Sequence, residues 1–392
     1  MHEYIYMAVT SVLVLAILIF VHELGHFLIA KLCKVGVVEF AIGFGKKIYQ
    51  RKYGETYYSL RAIPLGGYVR MVGDDPSQVF SGAEEKPEAS GEALIRDELA
   101  IDQELLSDKS KWFLNKGVPA KAAIVLAGPA FNMIFALVLS IGTYAVYGKV
   151  ESVNEAVIGD VFPGFPAEAA GLRSKDLVVS VNGVAVSTWQ ELSGKILNSD
   201  GGEIALLVKR QEDGQEQLKE IKVIPTADTS ELSLLDDSPA PQSKPKQHMI
   251  GIRPDTFNVP ATLQESLLLG SGHVWYLTRL TFRLLGAIVQ GAVNPRKVVG
   301  GPIAVFTGAA QSAKRGLESL FQFMVLLSVS LAVFNLLPIP ILDGGHLMFF
   351  LIEAIKGSPV SIRWQTLANQ VGMVLLLALM VFAVSNDVIR FF

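Results

Sequence analysis

The sequence predicts a polytopic α-helical membrane protein: four transmembrane helices, a membrane-associated β-hairpin or sheet, and an inserted mixed α/β domain. Three observations lead there. Of 392 residues, 51% are hydrophobic and only 18% charged, with a mean hydropathy of +0.40, whereas soluble domains run at about a quarter charged. The apolar residues gather in blocks long enough to span a bilayer, which takes about 20 residues at the helical rise. Between the second and third blocks lies a polar stretch with short apolar alternations and turn dipeptides, the pattern of a folded aqueous module.

The blocks are 7–30, 119–147, 318–338 and 367–385. The first is preceded by MHEYIY, without Lys or Arg, and no small-residue cleavage site follows, so it reads as a retained span rather than a signal peptide. The second is rich in small residues that permit close helix packing. The third stops at Pro338 and Pro340, which lack the N–H a helix needs. A further apolar stretch, 263–293, carries His273, Arg279 and Arg283 among its apolar positions and reads as an interfacial amphipathic helix.

Orientation follows the basic residues near span ends. Lys31, Lys34, Lys46, Lys47, Arg51, Lys52, Arg61 and Arg70 follow the first span, and none precedes it. The 31–118 loop is therefore expected in the cytoplasm, and residues 148–317 outside. The divisions expected are 1–149 (first membrane core), 150–257 (extracytoplasmic module), 258–317 (amphipathic linker or gate helices) and 318–392 (second membrane core). Segment 80–110 is acidic and reads as a solvated loop or surface helix, and 228–247, rich in Ser, Pro and charge, as a linker. A net charge of −3 gives no reason to expect nucleic acid as a partner, and the one cysteine, Cys33, excludes an intramolecular disulfide and a cysteine-based zinc site.

The first span holds the chemistry. His22-Glu23-Leu24-Gly25-His26 is HExxH, and residues four apart share a helix face, so both histidines can coordinate one zinc ion while Glu23 stands beside them as general base. Ionisable groups at that depth are costly and point to function. A catalytic zinc site has three protein ligands and an open position. The third must come from a membrane-embedded inner position, and the stretch FNLLPIPILDGGH (334–346) offers Asp343, with His346 as competitor. Gly344 and Gly345 would let backbones pack closely there.

HELGH in a first span with NLLPIPILDGG in a late one resembles the site-2 protease family of intramembrane zinc metalloproteases. GPAFN (Gly128–Asn132) and PLGGYVRM (Pro64–Met71), which is similar to the family's membrane-associated β-loop, add to the resemblance. It implies one Zn²⁺ held by His22, His26 and Asp343, which demotes His346, and catalysis by Glu23. It implies that Asn335 holds substrate backbone near Pro338 and Pro340, prolines that keep the approach to Asp343 irregular. Tyr57–Val72 shows β-type alternation with a turn expected at Gly66-Gly67, and with Tyr68 it offers an edge to which an extended substrate adds as a strand.

The sequence FPAEAAGLRSKDLVVSVNG resembles bacterial PDZ domains, with Lys175 where a glycine is usual before Asp176. Ile250, Gly251 and Ile252 would then form the carboxylate-binding loop of a peptide groove, and the module would bind new C-termini or filter substrates by size. One PDZ-like module is present, where some bacterial members have two. The expected substrates are transmembrane segments of single-pass proteins: an anti-sigma factor after a first outer cleavage, or signal-peptide remnants. The expected place is the bacterial cytoplasmic (inner) membrane, among its lipids, with the active site toward the cytoplasm. A membrane-tethered PDZ scaffold without catalysis is the alternative, and it leaves Glu23 between the histidines unexplained. A transporter would show pseudo-symmetric halves, and none is evident.

Overall fold

The computed structural model describes residues 2–74, 105, 107–212, 214–227 and 248–391. Most of the acidic 80–110 segment and the 228–247 linker lie outside the described residues. In order, the elements are α1 (His2–Leu32), β1 (Val37–Tyr53), β2 (Thr56–Met71), α2 (Val118–Tyr147), β3 (Lys149–Ser152), β4 (Ile158–Val161), α3 (Pro166–Ala169), β5 (Leu177–Val181), β6 (Val184–Ala185), α4 (Trp189–Leu197), β7 (Ile204–Glu212) and β8 (Gln215–Val223). Then come β9 (Thr226–Ala227), β10 (His248–Met249), β11 (Ile252–Pro254), β12 (Thr256–Val259), α5 (Leu263–Val289), α6 (Pro295–Val298), α7 (Pro302–Arg315), α8 (Leu317–Asn335), α9 (Asp343–Lys356) and α10 (Ile362–Phe391). The chain divides into two compact units, Met1–Thr143 with Leu268–Phe392, and Tyr144–Leu267.

Among the described residues, 4 helices are long and apolar enough to cross a membrane: Ala8–Leu32, Val118–Tyr147, Leu317–Asn335 and Ile362–Ile389. The third expected span ran to residue 338, but α8 stops at Asn335, because Pro338, three residues on, disfavours helix in the residue before it. The chain then turns through Leu336–Leu342, with Ile341 at φ 85°. The turn folds back onto the start of α9, where a Cβ on Gly344 would lie 2.2 Å from the Leu337 carbonyl oxygen. Only glycine fits, and Asp343 is thereby set at the first position of α9.

The helices lock through small and polar groups as well as apolar ones. Val274 and Leu277 of α5 are buried with Ala136 of α2 and Val325, Val329 and Val333 of α8. Val14 and Leu18 of α1 pack on Met324 of α8. Ser11 of α1 donates to the Phe306 carbonyl of α7 at 2.8 Å. Asp387, fully buried near the end of α10, accepts from the amides of Gly301 (2.9 Å) and Ala304 (3.1 Å). That caps the N-terminus of α7, whose first N–H groups have no partner within the helix.

The β-rich part of the first unit is larger than expected. Gly66 and Gly67 do not form a turn. They lie inside β2, and the hairpin turns at Gly54-Glu55, where Tyr53 pairs Thr56. Both strands are long and bent, so each pairs twice. Residues 39–42 run beside 67–70 (Glu39 by Arg70, Ile42 by Gly67) and, on their other side, beside 57–60 in rising step (Glu39 by Tyr57, Ile42 by Leu60). Residues 50–53 pair back along 56–59. Glu39, fully buried, anchors the sheet by accepting from Arg61 Nη2 at 2.9 Å and Tyr68 Oη at 2.7 Å.

The second unit has an aqueous-type core. Its main sheet has the order β6-β5-β7-β8, with smaller pairs β4–β11, β3–β12 and β9–β10. Ile158, Val178, Leu192, Leu206, Val208 and Ile250 are at most 1% exposed, and full burial of such a side chain is worth about 1.5–3 kcal/mol. Helix α4 is started by a reciprocal capping box between Thr188 and Glu191. Lys175 stands at φ 70°, a left-handed conformation that explains why glycine suits the position.

Candidate metal centre

The centre forms where α1 meets the start of α9. One helical turn separates His22 from His26, which brings their ring centroids to 4.8 Å and their Nε2 atoms to 3.2 Å. Asp343 closes the triangle, with Oδ2 3.2 Å from His22 Nε2 and Oδ1 3.6 Å from His26 Nε2. A zinc ion with ligands at about 2.0–2.1 Å in tetrahedral geometry needs ligand atoms about 3.3 Å apart, so the three residues fit the ion. The donor set itself argues the same way. Asp343 Oδ2 is buried and accepts no hydrogen bond, an arrangement that costs free energy without a cation. Among the described residues, His22, His26 and Asp343 are the one group of three or more His, Cys, Asp or Glu side chains converging this way. His346 stands outside it.

The far ring nitrogens also have partners. His26 Nδ1 lies 2.8 Å from the Ile124 carbonyl oxygen, and His22 Nδ1 lies 3.2 Å from the side-chain amide of Asn132. Metal-bound histidines are oriented by such outer hydrogen bonds. Asn132 appeared in the sequence reading only as part of GPAFN. Its position four residues beyond Gly128 on the same α2 face was the available signal.

Glu23, His26 and Asp343 share the wall of a cavity of about 680 Å³. Val69 and Met71 of β2 line it too, as do Phe113, Val125, Phe349 and Phe350. Gly67 lies against the catalytic candidate, since a Cβ there would be 2.9 Å from Glu23 Cγ. Residues 67–71 pair on one side only, with β1, so their outer edge faces no other strand among the described residues. Tyr68 stacks on Phe44 (centroids 6.5 Å, 15°) and binds Glu39 through its hydroxyl. Burial pushes the Glu39 carboxyl up, but hydrogen bonds from Ser59, Tyr68 and Arg61 outweigh it and hold the group below its ordinary value.

The same cavity holds a pair that sequence reasoning missed. Lys121, 3% exposed at its side chain, places Nζ 2.7 Å from both carboxylate oxygens of Glu353. With the two 232 positions apart in the chain, only a lone cation beside an apolar span hinted at it. Asn335, Pro338 and Pro340 are not among the cavity's lining residues. Asn335 ends α8, and the prolines shape the turn toward Asp343.

In the second unit, Ile250, Gly251 and Ile252 line a cavity of about 330 Å³ together with Phe162, Trp189 and Ile196. Gly251 is at φ 81°. Its neighbours are tied down, for the Phe162 amide donates to the Gly251 carbonyl at 2.9 Å and the Ala167 amide to Ile250 at 2.8 Å.

A model of peptidase family M50 matches residues 10–379. The chain is 32% identical over 387 residues to a putative zinc metalloprotease of Agrobacterium fabrum, covering 97% of this chain and 95% of the relative. It is 31% identical to a putative zinc metalloprotease of Clostridium acetobutylicum, with 97% of each covered. It is 29% identical to the zinc metalloprotease RasP of Geobacillus kaustophilus, with 98% of each covered. With the HExxH helix and Asp343 converging on one point and the family matched along nearly the whole chain, the protein belongs to peptidase family M50, the site-2 proteases.

Proposed function

We propose that this protein is a zinc-dependent intramembrane endopeptidase that cuts transmembrane segments of single-pass membrane proteins. One observation carries the reading. His22, Glu23 and His26 lie on a helix apolar enough to cross a membrane, and Asp343, at the start of α9, converges on the two histidines. His22 Nε2, His26 Nε2 and the Asp343 carboxylate would hold one zinc ion. Bound there, zinc supplies Lewis-acid chemistry, acidifying water and polarising a carbonyl. Glu23 takes a proton from the attacking water and delivers it to the departing amine nitrogen.

A substrate helix hides its amides in its own hydrogen bonds, so it must unwind before it is cut. The unpaired edge of residues 67–71, next to Glu23, suits an extended segment added as a further strand. Gly66, Gly67 and Tyr68 would serve that role, Gly67 by letting backbone approach Glu23. Asn335 would hold substrate backbone, with Pro338 and Pro340 keeping the chain before Asp343 irregular. The second unit is read as a PDZ-like module whose Ile250-Gly251-Ile252 loop either receives a new C-terminus or limits substrate size. The bacterial cytoplasmic membrane is the proposed place, with the cluster toward the cytoplasm. An anti-sigma factor after a first outer cleavage, or a remnant signal peptide, is the proposed substrate.

The test is mass-spectrometric mapping of products from a single-pass substrate reconstituted with the purified protein. A cut inside the apolar segment, blocked by a zinc chelator and restored by added zinc, is the expected result. A cut confined to flanking soluble residues would overturn the intramembrane reading.

A further inference from the structure

The two histidines differ in what sits behind them. Ile124, Gly128 and Asn132 follow one another at four-residue spacing along one face of α2, matching the spacing of His26 and His22 on α1. Gly128 makes room for the rings, since a Cβ there would lie 2.3 Å from His26 Nε2 and 2.7 Å from His22 Cε1. Behind His26 the partner is the Ile124 carbonyl. A carbonyl only accepts, so His26 Nδ1 carries the hydrogen and Nε2 presents its lone pair to the centre. Behind His22 the partner is a side-chain amide, which donates through one end and accepts through the other.

Which end faces the ring decides whether His22 can be a ligand. If Asn132 Nδ2 donates to Nδ1, the His22 hydrogen sits on Nε2 and that nitrogen has no lone pair for a metal. If Oδ1 accepts from Nδ1–H, Nε2 is free. The two ends have the same shape, so the choice between them is read from what the neighbouring ring must do. With Nδ2 toward the ring, Oδ1 is buried without a partner, in a residue that is 0% exposed. Turning the amide by half a revolution gives that oxygen its donor and places Nδ2 where the oxygen stood, so one end is unpartnered either way; the lone pair that the centre needs on His22 Nε2 makes the choice. The backbone beneath is fixed, for Ser328 Oγ donates to the Asn132 carbonyl at 2.8 Å.

We propose that Asn132 is a positioning residue for the centre: its side-chain oxygen accepts from His22 Nδ1–H and so selects the tautomer in which His22 Nε2 ligates zinc. This rests on the zinc reading of the cluster given above. Asn132 completes on His22 what the Ile124 carbonyl does on His26, and α2 thereby serves both rings from one face.

The test measures zinc affinity of the full-length protein in detergent by competition with a chromophoric chelator. Asn132→Leu keeps the bulk and removes the acceptor; Asn132→Asp keeps an acceptor and removes the donor. Asn132→Leu is expected to weaken zinc binding by about 10–100-fold, while Asn132→Asp binds as tightly as the parent protein or more so. A purely packing role would move both variants together. Should the leucine variant fail to fold, as judged by gel filtration and thermal unfolding of the metal-free protein, Asn132→Ser, whose hydroxyl is too short to reach Nδ1, takes its place with the same expectation. Retention of parental affinity on removing the acceptor, or equal loss in the aspartate variant, overturns the proposal and leaves the zinc site standing. Absence of zinc binding in the parent protein removes both.

Discussion

Two aspartates, one in each unit, show how differently a buried charge is used. Asp176 is 0% exposed, and Arg210 meets it with two bonds of 2.7 Å from Nε and Nη2. The Arg173 amide adds a third at 2.9 Å. Its charge is matched and its acceptor sites are used, so it holds β5 to β7 and has nothing to offer a ligand. Asp343 is also mostly buried, yet no Lys or Arg pairs with it among the described residues; it faces two ring nitrogens and keeps one oxygen without a hydrogen bond. Such an arrangement is costly without a cation to complete it. The satisfied aspartate marks architecture, and the unsatisfied one marks chemistry.

Breaking each aspartate separates the two roles. Asp343→Ala is expected to reduce bound zinc to background and abolish cleavage while leaving hydrogen exchange of β5 and β7 unchanged, as metal analysis and exchange mass spectrometry would read. Asp176→Ala should do the reverse. It strands Arg210, costing about 3–5 kcal/mol, and should raise exchange in β5 and β7 without altering zinc content. Replacing both Asp176 and Arg210 by apolar residues should recover much of that loss, which distinguishes a stranded charge from a lost bridge.

Glu39 offers a gentler test within the first unit. Its folded-state value is depressed below the ordinary 4.5. Its contribution is therefore complete above pH 4.5 and disappears as pH falls through the depressed value. The melting temperature of the parent protein should fall more steeply below pH 4.5 than that of Glu39→Gln. Parallel curves would remove Glu39 as an anchor of the sheet. The smallest effect is in the second unit. Lys175→Gly relieves a left-handed lysine and should stabilise by about 1 kcal/mol, because the 71%-exposed Lys175 side chain loses only a surface pair with Asp255.

The same contrast explains what could be read from the chain. The spans were legible because lipid demands long apolar runs, and HExxH because helical spacing turns four residues into one face. Asp343 stood out beside His346 only as a candidate; the family resemblance singled it out, since no periodicity links residues so far apart. The module expected at 150–257 was read from turn dipeptides and short apolar alternations. Strand β1 did not, because Lys46, Lys47, Arg51 and Lys52 interrupt the alternation over its second half. The Gly66-Gly67 pair was read as a turn, whereas neighbours explain it better: Gly66 lies under the Phe44 ring and Gly67 against Glu23. Local glycine chemistry could not reveal either approach. Asn132 and the Lys121–Glu353 pair were hidden for a like reason, since single polar residues in apolar helices give no pattern until their partners are placed.

The central claim is that Glu23 performs the proton transfers at a metal centre it does not help to hold. The most direct measurement compares parent protein and Glu23→Gln for both zinc content and cleavage of a reconstituted single-pass substrate. The account predicts equal zinc in the two and a rate loss in the variant of at least about 10²–10⁴-fold, the usual contribution of a general acid–base group. A variant that holds zinc and cuts at the parental rate would contradict it.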